Sequence, residues 1–382
     1  AGFVDGGGGR GLEEAGAGAG LEAHHHRPGA DAGRVERDEA LAAGFQAAAM
    51  ATVGMSVADV AMAGHASAQD LAGVSLGVSV WHIVIVSLMG LLMAVNPIVS
   101  QHVGAGEHAR IGQVVRQALW NALGVGLLAM VVANLGALVL DTLDIEPAVR
   151  DLARNFVLVI SFALPPFCCY RVLYGYSASV NQTKPLMVIA LVALALNVLV
   201  NWLLVFGNLG FPRLGGLGCA FATLLCVWFD LAAMVWWIRR APAYRATQPF
   251  TGYEPPQWPE IRRLLRLGAP IGVTYFAETS AFSLIALLVA GFGTAQVAAH
   301  QIALNFASLV FMVPMSLGLA LLTRVGQALG AQDPREARFR AWVGVAMALV
   351  VAAVSAVLIA FTTTHIAVAY TSDAAVAALA AH

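Results

Sequence analysis

Five polar side chains set in apolar runs carry most of the chemistry available to this sequence: Asp59, Asn197, Asn201, Thr223 and Glu278. A carboxylate combined with amide and hydroxyl oxygens is the ligand set of a hard cation such as Na⁺. The same set suits a proton-accepting aspartate held by hydrogen bonds. Asn197 and Asn201 are four residues apart and share one helix face. At a helical rise of about 1.5 Å per residue, Asp59 lies about 7 Å from the outer end of its segment and Asn197 and Asn201 about 13 and 7 Å from theirs. Thr223 falls about 10 Å below the outer start of its own segment. Four oxygen-bearing side chains are thus expected at one depth; in the plainer alternative the asparagines bond only between helices. Glu278 is the sole acid of residues 268–291 and lies about 18 Å below that segment's outer end. A carboxylate there can trade a proton or a cation for a cationic substrate, or else sit neutral, hydrogen-bonded to a neighbouring helix.

Weaker candidates accompany these. His300, Gln301 and Asn305 form a polar stripe suited to interhelical bonding or to lining a cavity. Asp230 and Arg171 lie inside apolar segments and are candidates to pair with one another, or Asp230 to face a vestibule. His24, His25 and His26 are near one another in a segment with few large apolar residues, a weak metal-binding signal. Cys168, Cys169, Cys219 and Cys226 show neither a metal-type spacing nor a disulfide framework and read as small packing residues.

The elements that must hold these groups follow from composition. Of 382 residues, 59% are hydrophobic and 11% charged, with a mean hydropathy of +0.76. So little charge cannot cover a soluble protein of this length, so lipid must solvate most of the chain. A bilayer core about 30 Å thick requires about 20 apolar residues per helix. Residues 71–98, 115–140, 155–177, 185–206, 216–238, 268–291, 297–322 and 341–362 qualify, with a weaker alanine-rich segment at 41–63. The expectation is an all-α integral membrane protein, since helices satisfy their own backbone in lipid. Pro97, Pro165, Pro166 and Pro314 are expected to kink or loosen their helices.

Charge sorting orients the spans. Arg239, Arg240, Arg245, Arg262, Arg263 and Arg266 crowd one connection; Arg110, Arg116, Lys184, Arg324, Arg335 and Arg338 mark others. An intervening loop carries Asp141, Asp144, Glu146 and Asp151. By the positive-inside rule the basic loops and the N-terminus are cytoplasmic. A net charge of −1 gives no reason to expect a nucleic-acid partner.

Two stretches match at a constant offset: Ala72 with Ala298, Met89 with Met315, Gln101 with Gln327, Gly104 with Gly330 and Ala105 with Ala331. Internal repetition of this kind marks transporters built from two similar bundles. The expected organisation is a disordered or non-native extension (1–40), a six-helix N-terminal lobe (41–239), an amphipathic cytoplasmic linker (240–267) and a C-terminal lobe (268–382). That second lobe holds about three helices and the start of another, three short of twelve in total. Within the linker, Trp258 to Leu267 reads as an interfacial helix.

The run KPLMVIALVALALNVLVNWLLVFGNLGFPRLGGLGCAFAT (Lys184 to Thr223) resembles the fifth and sixth spans of the multidrug and toxic compound extrusion (MATE) family, NorM-type branch. VAAHQIALNFASLVFMVPMSLGLALLTRVGQALGAQD (Val297 to Asp333) resembles that branch's eighth span and following loop, and VADVAMAGHASAQDLAGVSLGVSVW (Val57 to Trp81) the end of its first span and the start of its second. Gly44 and Gln46 depart from the pattern, and the family's tenth-span acid has no counterpart within the 382 residues. The resemblance implies two lobes around a central cavity, working as a monomer in a bacterial inner membrane. It implies export of cationic or amphipathic drugs against Na⁺ or H⁺, with no other cofactor and no metal beyond Na⁺ at Asp59 or Glu278. The family's N-lobe site falls on Asp59, Asn197, Asn201 and Thr223, and its seventh-span acid on Glu278. The alternative within the wider superfamily, a lipid-linked oligosaccharide flippase, calls for a basic cavity, and the span interiors supply only Arg171. No HExxH or GxSxG motif suggests an enzyme.

Overall fold

The computed structural model describes residues 43–48, 50–59, 62–63, 67–142, 146–290 and 294–370. The expectations for residues 1–40, His24 to His26 included, and for a tenth span after Asp373 lie outside the described residues.

Helices form over the long apolar runs, and their ends are set in different ways. α1 comprises helical residues 43–48 and 50–59. α2 (Ala68–Leu92) begins at Ser67, whose side chain accepts a hydrogen bond from the Asp70 amide; this satisfies one of the donors that a helix start leaves open. α3 (Val95–Gly104) and α4 (His108–Ala137) follow. α5 (Pro147–Ser161) and α6 (Leu164–Ser179) each carry proline in the first turn, where its missing N–H costs nothing. α7 (Lys184–Phe206) ends at Gly207, in the left-handed conformation a glycine adopts without strain. α8 (Gly216–Arg240), α9 (Trp258–Ala290), α10 (Thr294–Gly330) and α11 (Pro334–Tyr370) complete the order.

Over its described residues each of the nine apolar segments is mainly helical, with turns at 93–94 and 162–163. Among the described residues six helical segments are by themselves long and apolar enough to cross a membrane, and the α5–α6 pair, bent by 47°, would make a seventh if it is one span. α1 and α9 stand at their expected places outside that count.

The prolines act unequally. Pro97 has no N–H to offer the Met93 carbonyl, and the chain breaks between α2 and α3; the Asn96 amide takes that carbonyl instead, at 3.2 Å. Pro165 and Pro166 follow the α5–α6 bend in the same way. α10, by contrast, runs unbroken through Pro314. Trp258 to Leu267, read from sequence as a separate interfacial helix, is the beginning of α9 and continuous with its span. The apolar residues Ile261, Leu264 and Leu265 keep helical spacing into the span; Pro259 lies in the first turn, where its missing N–H costs nothing, and the helix runs on through Gly268 and Pro270.

The two matched stretches cross one another. A Cβ on Gly104 of α3 would lie 1.8 Å from the Gln327 carbonyl oxygen of α10, and one on Gly330 would lie 1.9 Å from that of Gln101. Each repeat glycine therefore rests on the partner repeat's glutamine backbone, a closeness that only a missing side chain permits. α2 meets α9 similarly: Gly268 abuts the Leu91 carbonyl and Gly90 abuts Gly272. Beside the α3–α10 crossing, Asn96 Oδ1 accepts from Ser100 and Thr323, both at 3.2 Å. Gln327 Nε2 donates to the Ser179 carbonyl at 2.9 Å.

The connection from α8 to α9 is fastened to α4. Arg116 pairs with Glu254. Gln117 Nε2 donates to the Pro255 carbonyl at 3.0 Å and its Oε1 accepts from the Gln257 amide at 2.7 Å. Trp120 Nε1 donates to the Glu254 carbonyl at 3.0 Å.

Candidate functional site

Three helices deliver one polar cluster into the packed interior of α1–α8. α1 brings Asp59, and α7 brings Asn197 and Asn201 from successive turns of its buried face. α8 brings Thr223. Gly218 lets α8 close on α7: a Cβ there would lie 2.9 Å from the Leu204 carbonyl carbon and the Val205 amide nitrogen. Small residues at that crossing, Gly218, Cys219, Ala220 and Ala222, hold the helices near enough for short side chains to meet.

Asn201 Nδ2 donates to Asp59 Oδ1 at 2.6 Å, and Asn197 Nδ2 reaches the same oxygen at 3.2 Å. Thr223 Oγ1 donates to Asp59 Oδ2 at 3.0 Å. Asn201 Nδ2 also contacts Asn197 Oδ1 at 3.2 Å, so the two amides orient one another. Both asparagines have no exposed surface, and Asp59 keeps 8% of its own. The Cys219 thiol donates to the Asp59 backbone carbonyl at 3.5 Å and ties α8 to the end of α1.

Every donor in this cluster is neutral. Three hydrogen bonds lower the cost of burying a carboxylate, and no base neutralises it among the described residues. Asn201 Oδ1 is buried without a partner. Asn201 Oδ1, the two oxygens of Asp59 and Thr223 Oγ1 are all hard oxygens, the donor type a small monovalent cation binds. A proton on either Asp59 oxygen would answer the same demand.

The structure brings together the four residues that sequence reading placed at one depth. Glu278 is not among them: it stands on α9 with an exposed side chain, and no described residue forms a hydrogen bond or ion pair with it. Tyr275, one turn earlier, lies within electrostatic reach of both Glu278 and Arg171. His300 lies on α10 with its Nε2 buried and unpartnered. Gln301 and Asn305 belong to the same helix, and their side chains lie outside the described residues. Arg171 does not pair with Asp230; its guanidinium sits 4.6 Å above the Tyr174 ring.

Sequence reasoning missed two contributors. Cys219 passed as packing, since nothing in one sequence says where a thiol points. Asp70 accepts from the Gly216 amide at 2.7 Å and so fixes the start of α8 against α2, as an anion at a helix N-terminus does. Sequence reading assigned it no role.

The comparisons with known proteins agree with this architecture. The MatE family model matches residues 47–203 and 270–382. The chain belongs to the MATE family. It is 43% identical over 342 residues to the multidrug resistance protein PmpM of Pseudomonas aeruginosa, covering 89% of this chain and 72% of that protein. It is 42% identical over 332 residues to a probable multidrug resistance protein NorM of Geobacillus kaustophilus, covering 85% and 72%. Among solved structures, the MATE transporter NorM-NG superposes with a TM-score of 0.70 at 31% identity, over 85% of this chain and 70% of that one. The eukaryotic MATE transporter AtDTX14 shares the fold, with a TM-score of 0.78 at 19% identity over 91% and 77%. The MATE assignment makes this a multi-pass membrane protein of a transporter family.

Proposed function

We propose that the chain works as a secondary antiporter that exports cationic or amphipathic drugs in exchange for inward Na⁺ or H⁺, seated in a bacterial inner membrane with its N-terminus in the cytoplasm. The observation that carries this reading is Asp59, buried without a base and held by Asn197, Asn201 and Thr223 from two further helices. Such a carboxylate changes its partners when a cation or proton arrives, and helices tied through it respond as a unit. The relatives named for multidrug resistance support drugs as the cargo.

Glu278 takes the second role. An exposed acid within an apolar span attracts a cationic substrate, and Tyr275 one turn away offers it an aromatic face. The flippase reading wants several bases around a pyrophosphate; Arg171, already stacked on Tyr174, does not favour it.

Ethidium efflux from cells expressing the full-length protein, driven separately by imposed Na⁺ and H⁺ gradients, tests the proposal. Efflux that follows one gradient and disappears in Asp59→Asn supports antiport and names the ion. A wild type that moves no dye under either gradient sinks it and makes lipid-linked oligosaccharide the next cargo to assay.

A further inference from the structure

Asp230 is the acid of α8 that the Asp59 cluster does not use. It lies seven residues beyond Thr223, so it occupies the same helix face two turns, about 10 Å, nearer the end that carries Arg239 and Arg240. Its Oδ1 is buried and has no hydrogen-bond partner. Unlike Asp59, it accepts no hydrogen bond from an amide or hydroxyl among the described residues, and unlike Asp70 it caps no helix.

The groups that face it are few. α8 packs against α2, α5, α6 and α7 and is bonded to α1 through Cys219 and Thr223. Of these, α6 presents the buried Tyr170, which lies in the field of Asp230. Arg171, the base on that helix, is directed over Tyr174. On α8 itself, Cys226 stands between the two acids, in the field of both. Its thiol is already given to the Ala193 carbonyl of α7 at 3.6 Å. Asp70 of α2 is engaged at the opposite end of α8. Asp230 thus has a buried oxygen that neither a base nor a neutral donor satisfies among the described residues. An arrangement of that kind is costly unless something binds there for part of the working cycle.

We propose that Asp230 is a second station for the coupling ion, between the Asp59 cluster and the cytoplasm. This rests on the reading of Asp59 as the first station. A monovalent cation leaving Asp59, Asn201 and Thr223 exchanges those oxygen contacts for Asp230 Oδ1 before release; for H⁺, the proton leaves an Asp59 oxygen and arrives on Asp230. α8 carries Thr223 of the first station and Asp230 of the second, so one helix links occupancy of the outer site to release at the inner one.

The test uses the full-length protein in proteoliposomes and compares wild type, Asp59→Asn, Asp230→Asn and Asp230→Glu. Two rates are read: ethidium–ethidium exchange without a gradient, and net ethidium movement driven by an imposed Na⁺ or H⁺ gradient. Asp230→Asn is expected to keep exchange within about twofold of wild type and to lose driven transport about tenfold or more, the factor carried by one lost ionic contact. Asp230→Glu, which keeps the charge, is expected to recover most of the driven rate.

Driven transport at the wild-type rate in Asp230→Asn overturns the proposal while leaving Asp59 in place, provided Asp59→Asn is dead in the same assay. Exchange and driven transport falling together overturn it in favour of a packing role. If Asp59→Asn itself transports normally, the coupling reading fails and the second station with it. Should Asp230→Asn not reach the membrane folded, a hydrophobic carbodiimide is applied to the wild type and Asp230 mapped by mass spectrometry. Labelling suppressed by Na⁺, or by raised pH, supports the station, and labelling indifferent to both overturns it.

Discussion

The acid of the first span and the acid of the seventh meet opposite surroundings. Asp59 is enclosed by three side chains from two other helices and keeps 8% of its surface. Glu278 lies exposed on α9, and among the described residues nothing bonds to it. A carboxylate bound on all sides by neutral donors is tuned for a small ion that can replace those donors one at a time. One presented openly suits a larger, less regular cation whose shape the site need not anticipate. On the reading proposed above, the difference separates the coupling ion's site from the substrate's, and the enclosure of Asp59 arises where α1, α7 and α8 meet through small residues.

The largest expected effect sets these acids directly against each other. Asp59→Asn should abolish gradient-driven dye efflux, whereas Glu278→Gln should weaken dye binding about tenfold, roughly the loss of one exposed charge contact at 1.4 kcal/mol. Because Glu278 supports no internal contact, its substitution should leave thermal stability within about 0.5 kcal/mol of wild type. A Glu278→Gln protein that melts early would erase the contrast.

Next come the crossings that hold the halves together. Gly104→Val and Gly330→Val should each disfavour the arrangement seen here by about 1–3 kcal/mol or more, since a side chain would occupy the partner's backbone. Distances measured between spin labels on the loops after α3 and α10 should lengthen equally in the two variants. Unequal shifts would show that the repeats are not mechanically equivalent.

Within the Asp59 cluster, Asn201→Ala should lower Na⁺ affinity about tenfold, because it removes Oδ1, the buried oxygen that has no other partner. Asn197→Ala, which removes a longer contact, should cost severalfold. Isothermal titration with the coupling ion ranks them, and a reversed order would mean that the 2.6 Å contact is not the working one. The smallest effect is expected from Cys219→Ala: a thiol donating at 3.5 Å contributes about 0.5 kcal/mol, visible as a slight drop in melting temperature with efflux intact.

Much of this was legible in advance. Long apolar runs announce their own helices, because a backbone in lipid has no other way to satisfy its polar groups. Depth along those helices then aligned Asp59, Asn197, Asn201 and Thr223, since a fixed rise converts residue number into height. The same arithmetic could not say which way Glu278 faces, because height leaves rotation about the bundle open. It also suggested Arg171 as a partner for Asp230, which the stack on Tyr174 contradicts. Pro97 and Pro314 looked alike in sequence, and only one of them accompanies a break.

What the sequence alone determined, then, is the helical membrane architecture, the repeat that relates Gly104 to Gly330, and the height of each polar group. These are one-dimensional properties, set by composition, spacing and helical rise. Tertiary structure decided which groups at one height touch, that the repeat glycines lie on each other's partner backbone, and that Asp230 is left with a buried oxygen to satisfy. Those outcomes depend on how helices rotate and approach, and that is fixed by small residues from distant parts of the chain meeting at a crossing.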